Sequence, residues 1–122
     1  MPHTMPQEVD VWLLLPAIRK NVAKALLDHY GCSQKEAARL LGLTEAAISQ
    51  YLKGKRGGEV TFTKKELAEI KKTAGLIHAK PSTAIEALYH LSLALRGSKA
   101  VCTAHRRQDR TLPRNCTLCK NA

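Results

Sequence analysis

Cys102, His105, Cys116 and Cys119 have the residue types and the spacing to hold a metal ion. They form the run Cys-x2-His-x10-Cys-x2-Cys, and three of the chain's four cysteines fall in it. Thiolate sulfur and imidazole nitrogen are the usual donors of a tetrahedral structural zinc site. With two residues between its members, each pair is expected to form a turn that presents both ligands to one ion. One metal centre per chain is expected. Zinc comes first, and an iron–sulfur cluster second, because a Cys3His set also serves clusters. Disulfides or free thiols are the remaining alternative, disfavoured in a reducing compartment. Few large apolar residues besides Val101 and Leu112 lie in this segment, so a metal would supply folding energy that a core cannot. Cys32, far upstream, reads as a buried small residue, with a role as extra ligand the lesser alternative.

A second set of chemically useful side chains lies between residues 34 and 56, and its placement depends on two short helices. Ser33 and Glu36 form an S-x-x-E capping box that opens the first. That helix buries Ala37, Leu40 and Leu41, while Ala38 is small enough to let another helix approach. Gly42 supplies the turn, since glycine enters the left-handed region at little cost. Thr44 caps the second helix, whose Ala47, Ile48, Tyr51 and Leu52 recur at 3-4 spacing and face inward. A small residue at 38, glycine at 42 and an apolar residue at 48 satisfy the sterics of two helices crossing at a tight turn.

Residues 33–57 resemble the helix-turn-helix of the Cro/C1-type (XRE-like) regulators. The resemblance is carried by Ile48-Ser49-Gln50-Tyr51-Leu52 followed by Gly54-Lys55-Arg56-Gly57. The whole layout, with its cysteine-bearing tail, is similar to predicted transcriptional regulators of archaea. In such motifs the second helix enters the major groove with its N-terminal part on the base edges. The resemblance therefore implies that Thr44, Glu45, Ala46, Ser49 and Gln50 face the DNA. Their chemistry suits this: glutamine can bond adenine bidentately, glutamate can accept from a cytosine amino group, and an alanine methyl packs on thymine. Gln34 is positioned in the family to meet phosphate and the reading helix. Lys53, Lys55 and Arg56 would clamp the backbone, the sequence-independent share of affinity. The plainer alternatives are a solvated polar face for Ser49 and Gln50 and an ordinary charged loop for Lys55 and Arg56. Glu45 fits least well, since its charge repels phosphate unless it reaches a base or caps the helix.

Charge points the same way. Lys and Arg number 20 against 10 Asp and Glu, a net charge of +10, which makes a polyanionic partner the default expectation. No apolar run approaches the ~20 residues that span a bilayer, and Val11–Leu15 follows Asp10 rather than a basic segment, so neither a membrane nor secretion is expected. A cytoplasmic location is. Only Trp12, Tyr30, Tyr51, Phe62 and Tyr89 are aromatic, which favours duplex DNA over a base-stacking single-strand platform.

The remaining chain supplies helices and no credible strand pairs. A first helix is expected from about Asp10 or Pro16 to His29, with Ile18, Val22, Ala25 and Leu26 buried and Gly31 ending it. Residues 54–62 read as a basic glycine-rich loop with a short extended piece at Val60–Phe62. Thr63 and Glu66 make another capping box, opening a helix over about 64–78 with Leu67, Ile70, Ala74 and Ile77 apolar. A fifth helix runs to about Arg96, with Ile85, Leu88, Leu91 and Leu95 as a continuous stripe. Beyond Ser98 the helical periodicity is expected to stop. The expected fold is all-α, a five-helix lambda-repressor-like domain over residues 8–97 and a metal-binding tail over 98–122. In the tail and its approach, Arg96, Lys99, Arg106, Arg107, Arg110, Arg114 and Lys120 stand against Asp109 alone, which offers a second phosphate-binding patch or simply neutralises three thiolates.

No catalytic set is legible. There is no phosphate loop after a strand and no H-E-x-x-H, and the metal register explains Cys102 and His105 better than a nucleophile and base would. No small-molecule substrate is evident. Two functions remain: a homodimeric, sequence-specific DNA-binding transcription regulator, and a zinc-containing interaction adaptor in which the helix-turn-helix is mainly a scaffold. The dimer is expected because one reading helix covers only a half-site, with part of the wide apolar face at Leu88, Leu91 and Leu95 as its interface.

Overall fold

A computed structural model describes residues 5–55, 57–58, 60–109 and 111. Among them every regular element is helical: α1 (Pro6–Val9), a π-helical segment (Asp10–Leu14), α2 (Leu15–Tyr30), α3 (Gln34–Leu41), α4 (Glu45–Leu52), α5 (Lys64–Ala79), a 3-10 turn (Pro81–Thr83), α6 (Ala84–Leu95) and α7 (Lys99–Gln108). The all-α expectation holds.

The first helix is longer than its expected bounds. It runs without a break from Pro6 to Tyr30 because the chain widens to π geometry just before Pro16. There the Leu15 amide reaches back to the Asp10 carbonyl. Proline lacks an amide hydrogen and its ring clashes with the carbonyl four residues earlier, so a single wide turn lets the rod pass it. Ala17, Ile18, Val22, Ala23, Ala25 and Leu26 form the buried side of α2, against which α3, α4, α5 and α6 all pack.

Helix α5 opens with the capping box expected of Thr63 and Glu66. The Glu66 amide donates to the Thr63 hydroxyl at 3.3 Å and the Thr63 amide to Glu66 Oε1 at 2.8 Å. Of the apolar residues of α5, Ile70, Ala74 and Ile77 are buried and Leu67 is exposed. The apolar stripe of α6 divides in two. Leu91 and Leu95 belong to the core and Leu88 is half-buried against it. Ile85, by contrast, stands 86% exposed, with Tyr89 at 60% and Leu93 at 47%. The sequence stripe therefore mixes two faces, and Leu91 and Leu95 are core side chains rather than interface.

The largest departure is α7. Helical structure does not stop at Ser98: that residue caps a further helix, its hydroxyl accepting from the Val101 amide at 3.4 Å. Ala100, Val101 and Ala104 join the core cluster, and α7 packs against the π segment near the other end of the chain. Counting Pro6–Tyr30 as one rod, the described residues hold six substantial helices where five were expected. Residues 60–62 form no strand, although Val60 and Phe62 are buried.

Candidate nucleic-acid interface and the cysteine–histidine helix

The α3–turn–α4 unit is built by three local devices. At its start the Ser33 hydroxyl accepts from the Glu36 amide at 3.1 Å and lies 3.3 Å from the Glu36 carboxylate. The expected reciprocal box is thus altered: the carboxylate takes the Ser33 hydroxyl rather than the Ser33 amide. At the turn, Gly42 sits at φ 67°, and the Leu43 amide bonds back to the Ala38 carbonyl at 2.8 Å. This six-residue closure satisfies a terminal carbonyl of α3, and only glycine enters it without strain. Thr44 then turns its hydroxyl onto the Ala47 amide at 3.0 Å and starts α4.

Burial sets which side of α4 is free. Ile48 is fully buried and Tyr51 nearly so, with Leu52 packed on the core edge. That leaves Thr44, Glu45 and Ala46 exposed at the helix start, with Ser49 and Gln50 half-exposed further along. Gln34 is exposed on the first turn of α3. Glu45 lies in the first turn of α4, where a carboxylate is favoured by the helix dipole, so its acidity has a structural use besides any base contact.

Helix α4 closes by bonding the Lys53 amide to Ser49 and the Lys55 amide to Gln50, each at 3.0 Å. Lys53 and Lys55 are therefore fixed by their backbones at the helix end, with both side chains in solvent. Arg56 lies outside the described residues. The loop is pinned at Gly57, which is buried at φ 75°, and a Cβ there would come within 2.5 Å of the Pro16 carbonyl and 3.0 Å of Lys20 Cβ. Glycine is required at this position by both its conformation and the close approach of α2.

Cys102 and His105 lie together on α7, not on the turn expected of their spacing. Three residues apart on a helix, they share a face with Cβ atoms on the order of 5–6 Å from each other, which suits two ligands of one ion. Cys102 is half-buried, its thiol 3.5 Å from the Gly97 carbonyl, and His105 is buried. Beyond them the Asp109 amide bonds to the His105 carbonyl at 2.8 Å, and the buried Asp109 carboxylate accepts from the Thr111 amide and hydroxyl. Cys116 and Cys119 lie outside the described residues, and among the described residues no three potential ligands cluster. Cys32 is a core residue whose thiol is pushed up from its ordinary pKa by burial and then by Glu36, as befits a protonated packing group.

Sequence reasoning counted Lys99 and Arg107 among the basic residues of a second phosphate-binding patch but missed the cleft that gathers them. Thr61, Thr63, Lys99, Ala100, Thr103, Ala104 and Arg107 line a cleft of about 220 Å³ between α7 and the chain entering α5. Lys99, Thr103 and Arg107 recur every four residues, a signal that was hidden by the expectation that α7 would not be helical.

Residues 24–57 match the family model described as helix-turn-helix. The matched span runs from within α2, through α3, the Gly42 turn and α4, to the pinned Gly57. No curated protein and no solved structure matches the chain. Over that segment the chain is thus similar to a helix-turn-helix, an element that DNA-binding transcription regulators use. Among the described residues no helix is long and apolar enough to cross a membrane.

Proposed function

We propose that the chain is a homodimeric, sequence-specific regulator of transcription that reads duplex DNA with α4. The observation that carries this reading is the free polar face of α4. Its buried side is anchored by Ile48 and Tyr51, and Lys53 and Lys55 are held at its end within the matched segment. Thr44, Glu45, Ala46, Ser49 and Gln50 meet base edges, while Gln34, Lys53, Lys55 and Arg56 meet phosphates. The exposed row of Ile85, Tyr89 and Leu93 on α6 supplies the apolar surface for a second copy, so that two reading helices address two half-sites.

Cys102, His105, Cys116 and Cys119 hold one metal centre in this reading, zinc before an iron–sulfur cluster. The shared helical face of Cys102 and His105 supports it. A bound metal would tie the last residues of the chain to α7 and contribute folding free energy there.

The test is a salt series on a duplex selected by the wild-type protein from random sequence. Gln50→Ala is expected to weaken that site by about 1–3 kcal/mol and relax discrimination at one base pair. Lys55→Ala is expected to weaken all duplexes alike and to flatten the salt slope by about one unit. Untouched binding in both variants would refute the assignment of α4 as the reading helix. Metal content and visible absorption of the same protein, purified without oxygen, separate colourless zinc from a coloured cluster, and light scattering reports the dimer.

A further inference from the structure

We infer that the cleft between α7 and the entry to α5 is a second DNA-backbone contact, in which Lys99 and Arg107 grip phosphates beyond the helix-turn-helix. The inference rests on the proposed reading of α4 and extends it to a part of the chain outside the matched segment.

Three observations carry it. The first is the lining. Lys99 and Arg107 are both exposed, lie two turns apart on one side of α7, and flank a cleft whose other polar groups include the hydroxyls of Thr61, Thr63 and Thr103. Two cations and neutral hydroxyls suit an oxyanion and offer nothing to a cation. The second is the state of the α5 terminus. Its capping box occupies the Thr63 and Glu66 amides, and the full positive charges at the cleft are those of Lys99 and Arg107. Glu66 is engaged in that box and does not pair with either cation.

The third observation is position. The loop leaving α4 crosses α2 where Gly57 meets Pro16 and Lys20. Helix α7 packs against Asp10–Leu14 of the same rod. At a rise of ~1.5 Å per residue these two points are on the order of 9 Å apart along the rod. The chain that joins them carries Lys53 and Lys55 at one end and the Thr61–Thr63 wall of the cleft at the other. Lys55 and Thr61 are six residues apart, so at ~3.3–3.6 Å per residue they lie at most ~22 Å from each other. That is about six steps of ~3.4 Å along a duplex axis, and a duplex gripped by Lys53 and Lys55 passes the cleft wall within that span. Duplex DNA is the occupant that this continuity favours over a free phosphate or nucleotide.

The experiment compares the full-length wild type with a Lys99→Ala/Arg107→Ala variant on the selected duplex and on copies trimmed from either end. Both side chains are exposed, so the variant should keep its helical content, checked by circular dichroism. The expected result is a salt slope lower by about two units, one for each phosphate released, with discrimination among bases unchanged. Trimming one flank should then weaken the wild type but not the variant. An unchanged slope in this variant, with Lys55→Ala still flattening it, would overturn the inference and leave the α4 reading intact. Failure of the wild type to bind any duplex would overturn both. Inorganic phosphate competing with duplex only through Lys99 and Arg107, at concentrations too low to screen charge, would mark a small-anion site and overturn the duplex assignment.

Discussion

The helix-turn-helix and α7 are both short, capped and polar on one side, yet only the first announces itself in the sequence. In residues 33–57 the devices are local. Ser33, Gly42 and Thr44 each satisfy backbone groups within a few residues of themselves, and the buried positions of α3 and α4 follow helical spacing. Helix α7 has a local cap in Ser98, but the surface it buries belongs to the N-terminal rod. Its inward residues, Ala100, Val101 and Ala104, are small and leave a faint apolar signal. Propensity and capping are read from a window of the chain, whereas docking against a distant segment is not.

The widest contrast between the two regions is reached through their core residues. Ile48→Ala should destabilise the protein by about 2–5 kcal/mol, because a fully buried side chain of α4 leaves a cavity in the core. Val101→Ala should cost about 2 kcal/mol, from ~0.8 kcal/mol for each buried carbon lost plus a smaller cavity. Chemical denaturation measures both. If Val101→Ala leaves the unfolding transition unmoved, α7 is an appendage that folds by itself or through its metal, and the expected boundary at residue 98 is the right one. A cooperative loss places the boundary beyond Gln108.

The same contrast explains what was legible and what was not. The exposed side of α4 was legible because Ile48 and Tyr51 are buried and so fix which neighbours point out. Glu36 was misjudged in detail, on a side-chain choice that the backbone pattern does not determine. On α6, Ile85 and Leu91 both fit an apolar helix, and only the packing partners separate surface from core. The Lys99–Thr103–Arg107 row was hidden because Cys102 and His105 drew a turn over the same residues. Their spacing fits a helix equally well, since positions three apart share a helical face.

Gly57 offers a sharper view of the helix-turn-helix side. Alanine there would take a left-handed conformation and drive its Cβ into the Pro16 carbonyl, which is backbone and cannot turn aside. The expected cost of Gly57→Ala is about 2–4 kcal/mol, combining the left-handed penalty with overpacking. DNA affinity should fall as well, because the loop that holds Lys53 and Lys55 lifts from α2. Thermal unfolding and the duplex salt slope report the two effects separately. A stable variant with a reduced slope would mean that the loop shifts and the core does not notice. A stable variant with full affinity would mean that the contact with α2 positions nothing.

The smallest effect concerns Asp10 and Arg96, at the seam between the two regions. Asp10 lies in the π segment on which α7 packs, and Arg96 follows the last residue of α6. Arg96 Nε stands 3.3 Å from Asp10 Oδ2, close enough for a charge contact, but the same Nε is buried without a hydrogen bond of good geometry. The two facts agree on a poorly aligned pair. Burial accordingly raises the Asp10 pKa above its ordinary 3.8, and the Arg96 charge lowers it only in part. A carboxyl whose folded pKa is raised binds its proton more readily in the folded chain. Its favourable contribution is therefore complete below the ordinary value and is lost as pH rises through the raised one. Asp10→Asn should change stability at neutral pH by less than about 1 kcal/mol, the range of partly exposed ion pairs. Measured against this variant, the wild type should gain stability as pH falls from neutral through the raised pKa toward 3.8. A relative loss over that range would mean that the attraction to Arg96 outweighs burial, and that charge contributes more to the seam under α7 than the burial of Leu13, Leu14 and Val101 suggests.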